Sequence, residues 1–259
     1  GGLSGSVSLN LLSKDADRGF EILRAVLAAP SFQEDKLALR KTQALQGLKQ
    51  RNDDSRNIES RERNFLAYGE DFWFNRHTTA ASLENIRRED LLAFHHEWVH
   101  PRNFIVSVSG DFDRDAMLKR LDGVFAAWPH PGKKTPRVPQ EREYGKSGVY
   151  IVNKDVNQGR VSIMLPGIRW DDPDYHAIQV MNDVLGGGGF TSRITNRVRS
   201  DEGLAYSARS AFPGGSYYPV VFRAGFQSKS RTVAYATSIV LEEIERISRE
   251  PVTAEELLT

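Results

Sequence analysis

Cysteine is absent from this chain of 259 residues. Its absence excludes disulfides, thiolate metal sites and cysteine nucleophiles together. It suits an oxidising periplasm, where stray thiols are a liability, and it suits the cytosol equally. Composition therefore leaves the compartment open.

Long apolar runs and an excess of one charge are missing as well. No apolar stretch approaches the roughly 20 residues that a membrane-spanning helix requires. The 35 basic and 34 acidic residues interleave to a formal net charge of +1, which gives no reason to expect nucleic acid or anionic lipid as a partner. The apolar fraction of 39% and the charged fraction of 27% are typical of a globular protein.

A secretory start is also missing, because Gly1–Gly5 show no positive charge followed by an apolar stretch. Either there is no signal peptide, or the chain is cut from something longer. A weak internal repeat favours the second reading, since the order strand, Ser-Lys, helix, Pro-x-x-x-Glu occurs at Ser13 and again at Ser228. A repeat of about 220 residues predicts two domains that are both incomplete here.

Short strands and longer helices alternate along the predicted structure. Strands are predicted at residues 5–13, 104–109, 148–153, 159–165, 204–212 and 218–227, and helices at 16–29, 35–52, 57–68, 88–98, 113–127, 174–185, 191–200 and 231–249. Residues 129–146 are rich in proline and charge, which is typical of a linker. We therefore predict domains at residues 1–128 and 147–259, joined by a linker at 129–146.

Two stretches carry the most specific motifs. In the first, Ala93 to Trp98 form the end of the predicted helix at 88–98, Pro101-Arg102-Asn103 follows, and the next predicted strand ends at Gly110-Asp111. In the second, a helix ends in Gly186–Gly189, Ser192-Arg193 follows, and Arg199-Ser200-Asp201-Glu202-Gly203-Leu204-Ala205-Tyr206 comes next. The second stretch is the more specific of the two, because it combines a glycine run with a Gly-Leu-Ala-Tyr segment.

These motifs resemble the pitrilysin/insulinase family of zinc metallopeptidases over nearly the whole chain. One departure is Ser200, where the family usually has a glutamate. The resemblance implies an α+β fold of pitrilysin-type domains in tandem, each a mostly antiparallel sheet packed against helices. Both copies would be incomplete in this chain. In the family, two such pairs of domains face each other around a closed chamber.

The resemblance also implies a site. One half of the family's chamber carries zinc through an inverted H-x-x-E-H motif, and the opposite half supplies an arginine and a tyrosine seven residues apart. Arg199 and Tyr206 have that spacing. They would bind the scissile carbonyl and stabilise the negative charge that develops on its oxygen.

The resemblance also implies a role for the glycine run Gly186, Gly187, Gly188 and Gly189. It follows a helix and is not followed by Lys-Ser/Thr, so it does not match a phosphate-binding loop. In related processing peptidases a glycine-rich segment of the zinc-free subunit contacts substrate. We therefore expect the run and Gln158, which precedes a predicted strand, to bind substrate.

A literal H-E-x-x-H match occurs at His96, Glu97 and His100. In thermolysin-like peptidases this motif places two histidines on one face of a helix, with the glutamate beside a metal-bound water. Here His100 directly precedes Pro101, and a residue before proline is disfavoured in the helical region. The sequence therefore favours a helix end without metal, and a stand-alone zinc peptidase is the least favoured reading.

The resemblance implies that the third zinc ligand of active relatives aligns with Leu48. The segment from Arg40 to Leu48 contains no carboxylate, and leucine cannot coordinate zinc. We therefore expect no metal in this chain and zinc in a partner subunit.

The sequence thus predicts a zinc-free subunit that pairs with a zinc-carrying homologous subunit, or forms a homodimer, and hydrolyses unstructured peptides. A periplasmic location is expected from family habit and absent cysteine, with the cytoplasm as the alternative. The alternative function is a catalytically silent scaffold or assembly subunit of the same fold.

Overall fold

A computed structural model describes residues 3–126, 128–129, 135–140 and 145–258. The helices are α1 (Ala16–Ala28), α2 (Glu34–Lys49), α3 (Ser55–Tyr68), α4 (Ala80–Asn85), α5 (Arg88–Trp98), α6 (Arg114–Phe125), α7 (Tyr175–Asn182), the one-turn α8 (Arg193–Thr195) and α9 (Val233–Arg249). The strands are β1 (Gln158–Ile168), β2 (Ala208–Ala211) and β3 (Val220–Lys229). Two π-helical turns, Asp183–Gly187 and Asn196–Asp201, continue α7 and α8.

The chain divides into two compact units, which differ from the predicted domains. The first contains Gly1–Lys49 and His77–Arg137, and the second contains Gln50–Arg76 and Val138–Thr259. The predicted linker at 129–146 includes the boundary at Arg137, although 130–134 and 141–144 lie outside the described residues. Its remaining residues form neither helix nor strand.

The first unit is helical. Helices α1 and α6 are joined by an ion pair between Asp17 and Arg120, whose Oδ1 and Nε are 2.7 Å apart. The Lys41 ammonium on α2 donates to the carbonyl of Glu84 on α4 at 3.1 Å. Helix α5 ends at Trp98, as Pro101 predicts.

Three predicted strands are wrong as strands. Residues 5–13, 104–109 and 148–153 form no strand. Apolar side chains on them are widely exposed, with Ile105 at 98% and Val149 at 90%. A strand needs a hydrogen-bonded neighbour, and none of the residues within the described ranges supplies one. The local sequence therefore suggested strands, but it could not show whether a pairing partner is available.

The second unit is built on a three-stranded antiparallel sheet in the order β1-β3-β2. Buried residues Phe222, Ala224 and Phe226 alternate along β3 with more exposed ones, because successive strand side chains point to opposite faces. Helix α9 covers the buried face with side chains at helical spacing, namely Ala236, Ile239, Val240 and Glu243.

Helix α3 belongs to this second unit, which explains the difference from the predicted domains. Arg160 on β1 donates to the Ser55 hydroxyl at 3.1 Å. The buried Tyr68 ring meets Tyr218 at 5.6 Å between centroids and stacks on Phe72. These contacts join residues far apart in sequence, so segment composition could not reveal them.

Candidate functional site

Arg199 and Tyr206 lie on either side of a tight turn. Arg199 is in the π-helical turn Asn196–Asp201, and Tyr206 precedes β2. Between them Gly203 adopts a φ of +60°, a left-handed conformation that glycine adopts without steric cost. The Leu204 amide then donates to the Val198 carbonyl at 2.9 Å. The turn therefore brings the two side chains together.

The Arg199 guanidinium contacts two aromatic rings. Its Cζ lies 4.2 Å from the Phe190 centroid and 5.1 Å from the Tyr206 centroid. Both separations are within the range of cation–π attraction. Tyr206 is 88% exposed and Phe190 is 65% exposed. Arg199 and Tyr206 thus present a charged guanidinium and a phenol at the surface, beside the Phe190 ring.

A small open cavity of about 30 Å³ lies beside these side chains. That volume accommodates about one water molecule or one carbonyl oxygen. The cavity is lined by Gly189, Phe190, Thr195, Arg199, Tyr206, Ser207 and Arg209. The floor includes the buried Thr195, whose hydroxyl donates to the Ala208 carbonyl at 2.8 Å.

Ion pairs anchor the segment that carries Arg199. Arg197 donates to the fully buried Glu243 on α9 at 2.8 Å, and this hydrogen bond raises the pKa of Arg197. Arg193 makes a two-pronged contact with Glu256 at 2.5 and 2.8 Å. The contact lowers the pKa of Glu256 to about 2. Both carboxylates therefore hold their arginines in charged, fixed positions.

The predicted glycine run serves more than one purpose. Gly186 is buried, and a Cβ added there would lie 2.6 Å from the Ser210 nitrogen. It therefore lets the helix end approach β2 closely. Gly189 has a φ of +84° and lines the cavity. Gly187 and Gly188 are exposed beside them.

Gln158 lies in a different place from the rest of the predicted site. Its Oε1 accepts from Gln227 at 2.6 Å, and it lines an open depression with Ser55, Val156 and Asn157. In the sheet Gln158 pairs with Lys229 on β3, whereas β2 follows on the other side of β3. Its substrate role stays a prediction.

The residues of the first unit that could suggest zinc do not fit a zinc site. Helix α5 ends before His100, which has extended backbone with φ −150° and ψ 158°. His100 is buried while His96 is exposed, so the two histidines do not share a helix face as the motif requires. Leu48 lies on α2 and offers no ligand atom. Over the ranges that the structure describes, no three histidine, aspartate or glutamate side chains cluster in a way that could hold a metal.

Sequence reasoning missed four of the residues that line the cavity, namely Phe190, Thr195, Ser207 and Arg209. Phe190 directly follows the glycine run, and Arg209 alternates with the buried Ala208 and Ser210 on β2. The alternation shows that Arg209 faces away from the core. Only the folded turn shows that it lies beside Arg199.

The family of this chain is identified by a match to a protein-family model. Residues 85–259 match the family model described as the peptidase M16 inactive domain. The chain therefore belongs to the peptidase M16 family. This confirms the resemblance to pitrilysin/insulinase peptidases and the assignment to an inactive domain.

Curated relatives carry two kinds of name. The "Non-peptidase homolog YmxG" of Helicobacter pylori is 27% identical over 250 residues, covering 93% of this chain and 56% of the relative. An uncharacterized zinc protease of Mycobacterium bovis is 30% identical over 174 residues, covering 65% of this chain and 39% of the relative. The chain spans about half the length, or less, of these relatives.

Solved structures confirm the α+β fold class. A peptidase M16 inactive domain from Pseudomonas fluorescens aligns with a TM-score of 0.83 and 25% identity, over 94% of this chain and 59% of that chain. A protease from Helicobacter pylori aligns with a TM-score of 0.81 and 16% identity, over 94% of this chain and 60% of that chain. No helix within the described ranges is both long and apolar enough to cross a membrane.

Proposed function

We propose that this chain is the zinc-free half of a pitrilysin-type peptidase and donates Arg199 and Tyr206 to the scissile carbonyl of a peptide. The observation that carries the proposal is the exposed Tyr206 phenol beside an Arg199 guanidinium that two aromatic rings contact. A partner subunit, a homologue of this chain, would hold zinc and supply the activated water.

The chemistry requires donors that are in place before charge develops. When a nucleophile attacks a carbonyl, negative charge grows on its oxygen, and prepositioned donors stabilise that charge. The Tyr206 hydroxyl can donate one hydrogen bond, and the Arg199 guanidinium adds positive charge beside it. The cavity accommodates one such oxygen.

The substrates would be unstructured peptides. A carbonyl inside a helix or sheet is already hydrogen-bonded, whereas an extended peptide can offer its carbonyls to the site. The phenol at 88% exposure is open to such a chain.

Tyr206→Phe tests the proposal by removing one hydroxyl and keeping the ring. The full-length protein would be mixed with a zinc-carrying homologue, and turnover of an unstructured peptide would be measured. We expect Tyr206→Phe to lower kcat by roughly one to three orders of magnitude, the value of one oxyanion donor. Tyr217→Phe, at a tyrosine with 49% exposure outside the cavity, is the matched control. An unchanged rate for Tyr206→Phe would refute the catalytic role.

The second candidate is a scaffold or assembly subunit without catalysis. The name "Non-peptidase homolog" on a relative aligned over 93% of the chain favours it. This candidate predicts a stable complex with a homologue that hydrolyses no peptide. A complex whose activity responds to Tyr206→Phe excludes the scaffold reading.

A further inference from the structure

A group of arginines occupies the face of the sheet opposite α9. Arg160, Arg209 and Arg223 lie on β1, β2 and β3, and the strand register places them on the face opposite the buried side chains of β3. The register places Arg209 opposite Gly225 and Arg160 opposite Gln227. Side chains at paired positions share a face.

Arg209 and Arg223 share the space above Gly225. A Cβ added at Gly225 would lie 3.2 Å from Arg223 Nη2 and 3.3 Å from its Nε, so the guanidinium of Arg223 lies over the glycine. Arg209 pairs with the same glycine from the other strand. Two cationic side chains therefore rise from adjacent positions, and Arg209 also lines the cavity beside Arg199.

Counter-ions for these arginines are few. The Arg223 Nη2 lies 3.8 Å from Glu59 Oε1, at the outer limit of an ion pair. Glu59 also accepts from Arg63 at 3.3 Å and from the Ser162 hydroxyl. Burial and the nearby charges of Arg63 and Arg160 lower the pKa of Arg223. Positive charge on this face is therefore undercompensated.

Arg209 and Arg199 form no ion pair within the ranges that the structure describes. Arg209 is exposed, whereas the sheet's other arginines donate to a hydroxyl or face Glu59. An exposed guanidinium with all its donors available can bind a carboxylate in two-pronged fashion.

We propose that Arg209, supported by Arg223, forms a carboxylate-binding subsite next to Arg199 and Tyr206, which selects peptides carrying an aspartate or glutamate near the bound carbonyl. This specificity rests on the proposed function because the subsite adjoins the cavity that would hold the carbonyl oxygen. The substrate class is therefore an acidic unstructured peptide.

A pair of peptides that differ only in one residue, glutamate or glutamine, tests the subsite. Binding to the full-length protein would be measured by fluorescence anisotropy at low and at moderate salt, with the differing residue moved along the peptide. At the best position we expect the glutamate peptide to bind roughly three- to tenfold more tightly, and salt to reduce this ratio. Arg209→Gln should bring the ratio to one, and Arg209→Lys should restore part of it.

Arg24→Gln on α1 is the matched control, since Arg24 is exposed and lies in the other unit. It should leave the ratio unchanged. A ratio of one at every position in the unmodified protein, or an unchanged ratio in Arg209→Gln, overturns the subsite. In the mixture with a zinc-carrying homologue, Tyr206→Phe should lower kcat for both peptides equally, so failure of the carbonyl role and failure of the subsite give different results.

Discussion

The guanidinium carbon of Arg199 lies 4.2 Å from the centroid of Phe190, the residue that ends the four-glycine turn. This contact joins the two motifs of the second unit, the glycine run and the segment from Arg199 to Tyr206, because Phe190 directly after the run packs against the guanidinium. The geometry thus assigns the glycine run a second role besides the predicted substrate contact. The run places a positioning ring over the guanidinium.

Phe190→Leu removes that ring and keeps an apolar side chain. An exposed cation–π contact contributes about 0.5–1 kcal/mol, so kcat/KM in the complex with a zinc-carrying homologue should fall about two- to fivefold. Because Phe190 is 65% exposed, the thermal midpoint should hardly change. Trp170→Leu, at an aromatic residue with 58% exposure away from the cavity, is the control. Equal losses in the two variants would show that the contact with Arg199 has no functional role.

Arg197→Met should destabilise the protein strongly, although the Arg197 side chain itself is partly exposed. The substitution leaves Glu243, with no exposed side-chain surface, without its 2.8 Å donor. Removing one partner of a buried carboxylate costs about 2–3 kcal/mol here, less than for two fully buried partners. Urea denaturation would measure the change in the free energy of unfolding.

Arg249→Met is the matched control for that variant. Arg249 pairs with Glu245 on the same helix, with the two side chains 74% and 58% exposed. An exposed pair of this kind contributes about 0–1 kcal/mol. Similar losses in the Arg197 and Arg249 variants would contradict the anchoring role of Glu243.

Gly186→Ala and Gly47→Ala should change stability in opposite directions. A Cβ at Gly186 would meet the Ser210 nitrogen and Oγ at 2.6 Å, and forcing such an approach costs about 1–3 kcal/mol. A Cβ at Gly47, inside α2, meets nothing within 4 Å, so alanine should stabilise that helix by up to about 1 kcal/mol. Thermal midpoints of the two variants check this. Two shifts of the same sign would contradict the close approach at Gly186.

Acid should weaken the ion pair between Glu256 and Arg193. Folding lowers the pKa of Glu256 from 4.5 to about 2, so its carboxylate stabilises the folded state fully above about pH 4.5. That contribution is lost as the pH falls towards 2. The difference in unfolding free energy between the unmodified protein and Glu256→Gln should therefore shrink over this window. Denaturant titrations between pH 6 and about pH 2 would measure it, and a constant difference would contradict the lowered pKa.

Local chemistry made the helices predictable from sequence. The predicted helix end before Pro101 is confirmed, since α5 stops at Trp98, and the long helix at 231–249 forms as α9. Helical hydrogen bonds join residues four apart, so the pattern and its punctuation suffice. The Arg199 and Tyr206 pair came from the family resemblance, and the structure places the two side chains together, with the Arg199 Cζ 5.1 Å from the Tyr206 centroid.

Tertiary structure decided what depends on distant partners. Residues 5–13 alternate as a strand does and 148–153 were also predicted as a strand, yet neither forms one, because a strand's hydrogen bonds come from elsewhere in the chain. Helix α3 joins the second unit through Arg160 and Tyr218, which are far from it in sequence. The cavity is lined by Phe190, Arg199 and Arg209 together. These residues come close only when the sheet and the glycine turn pack against each other.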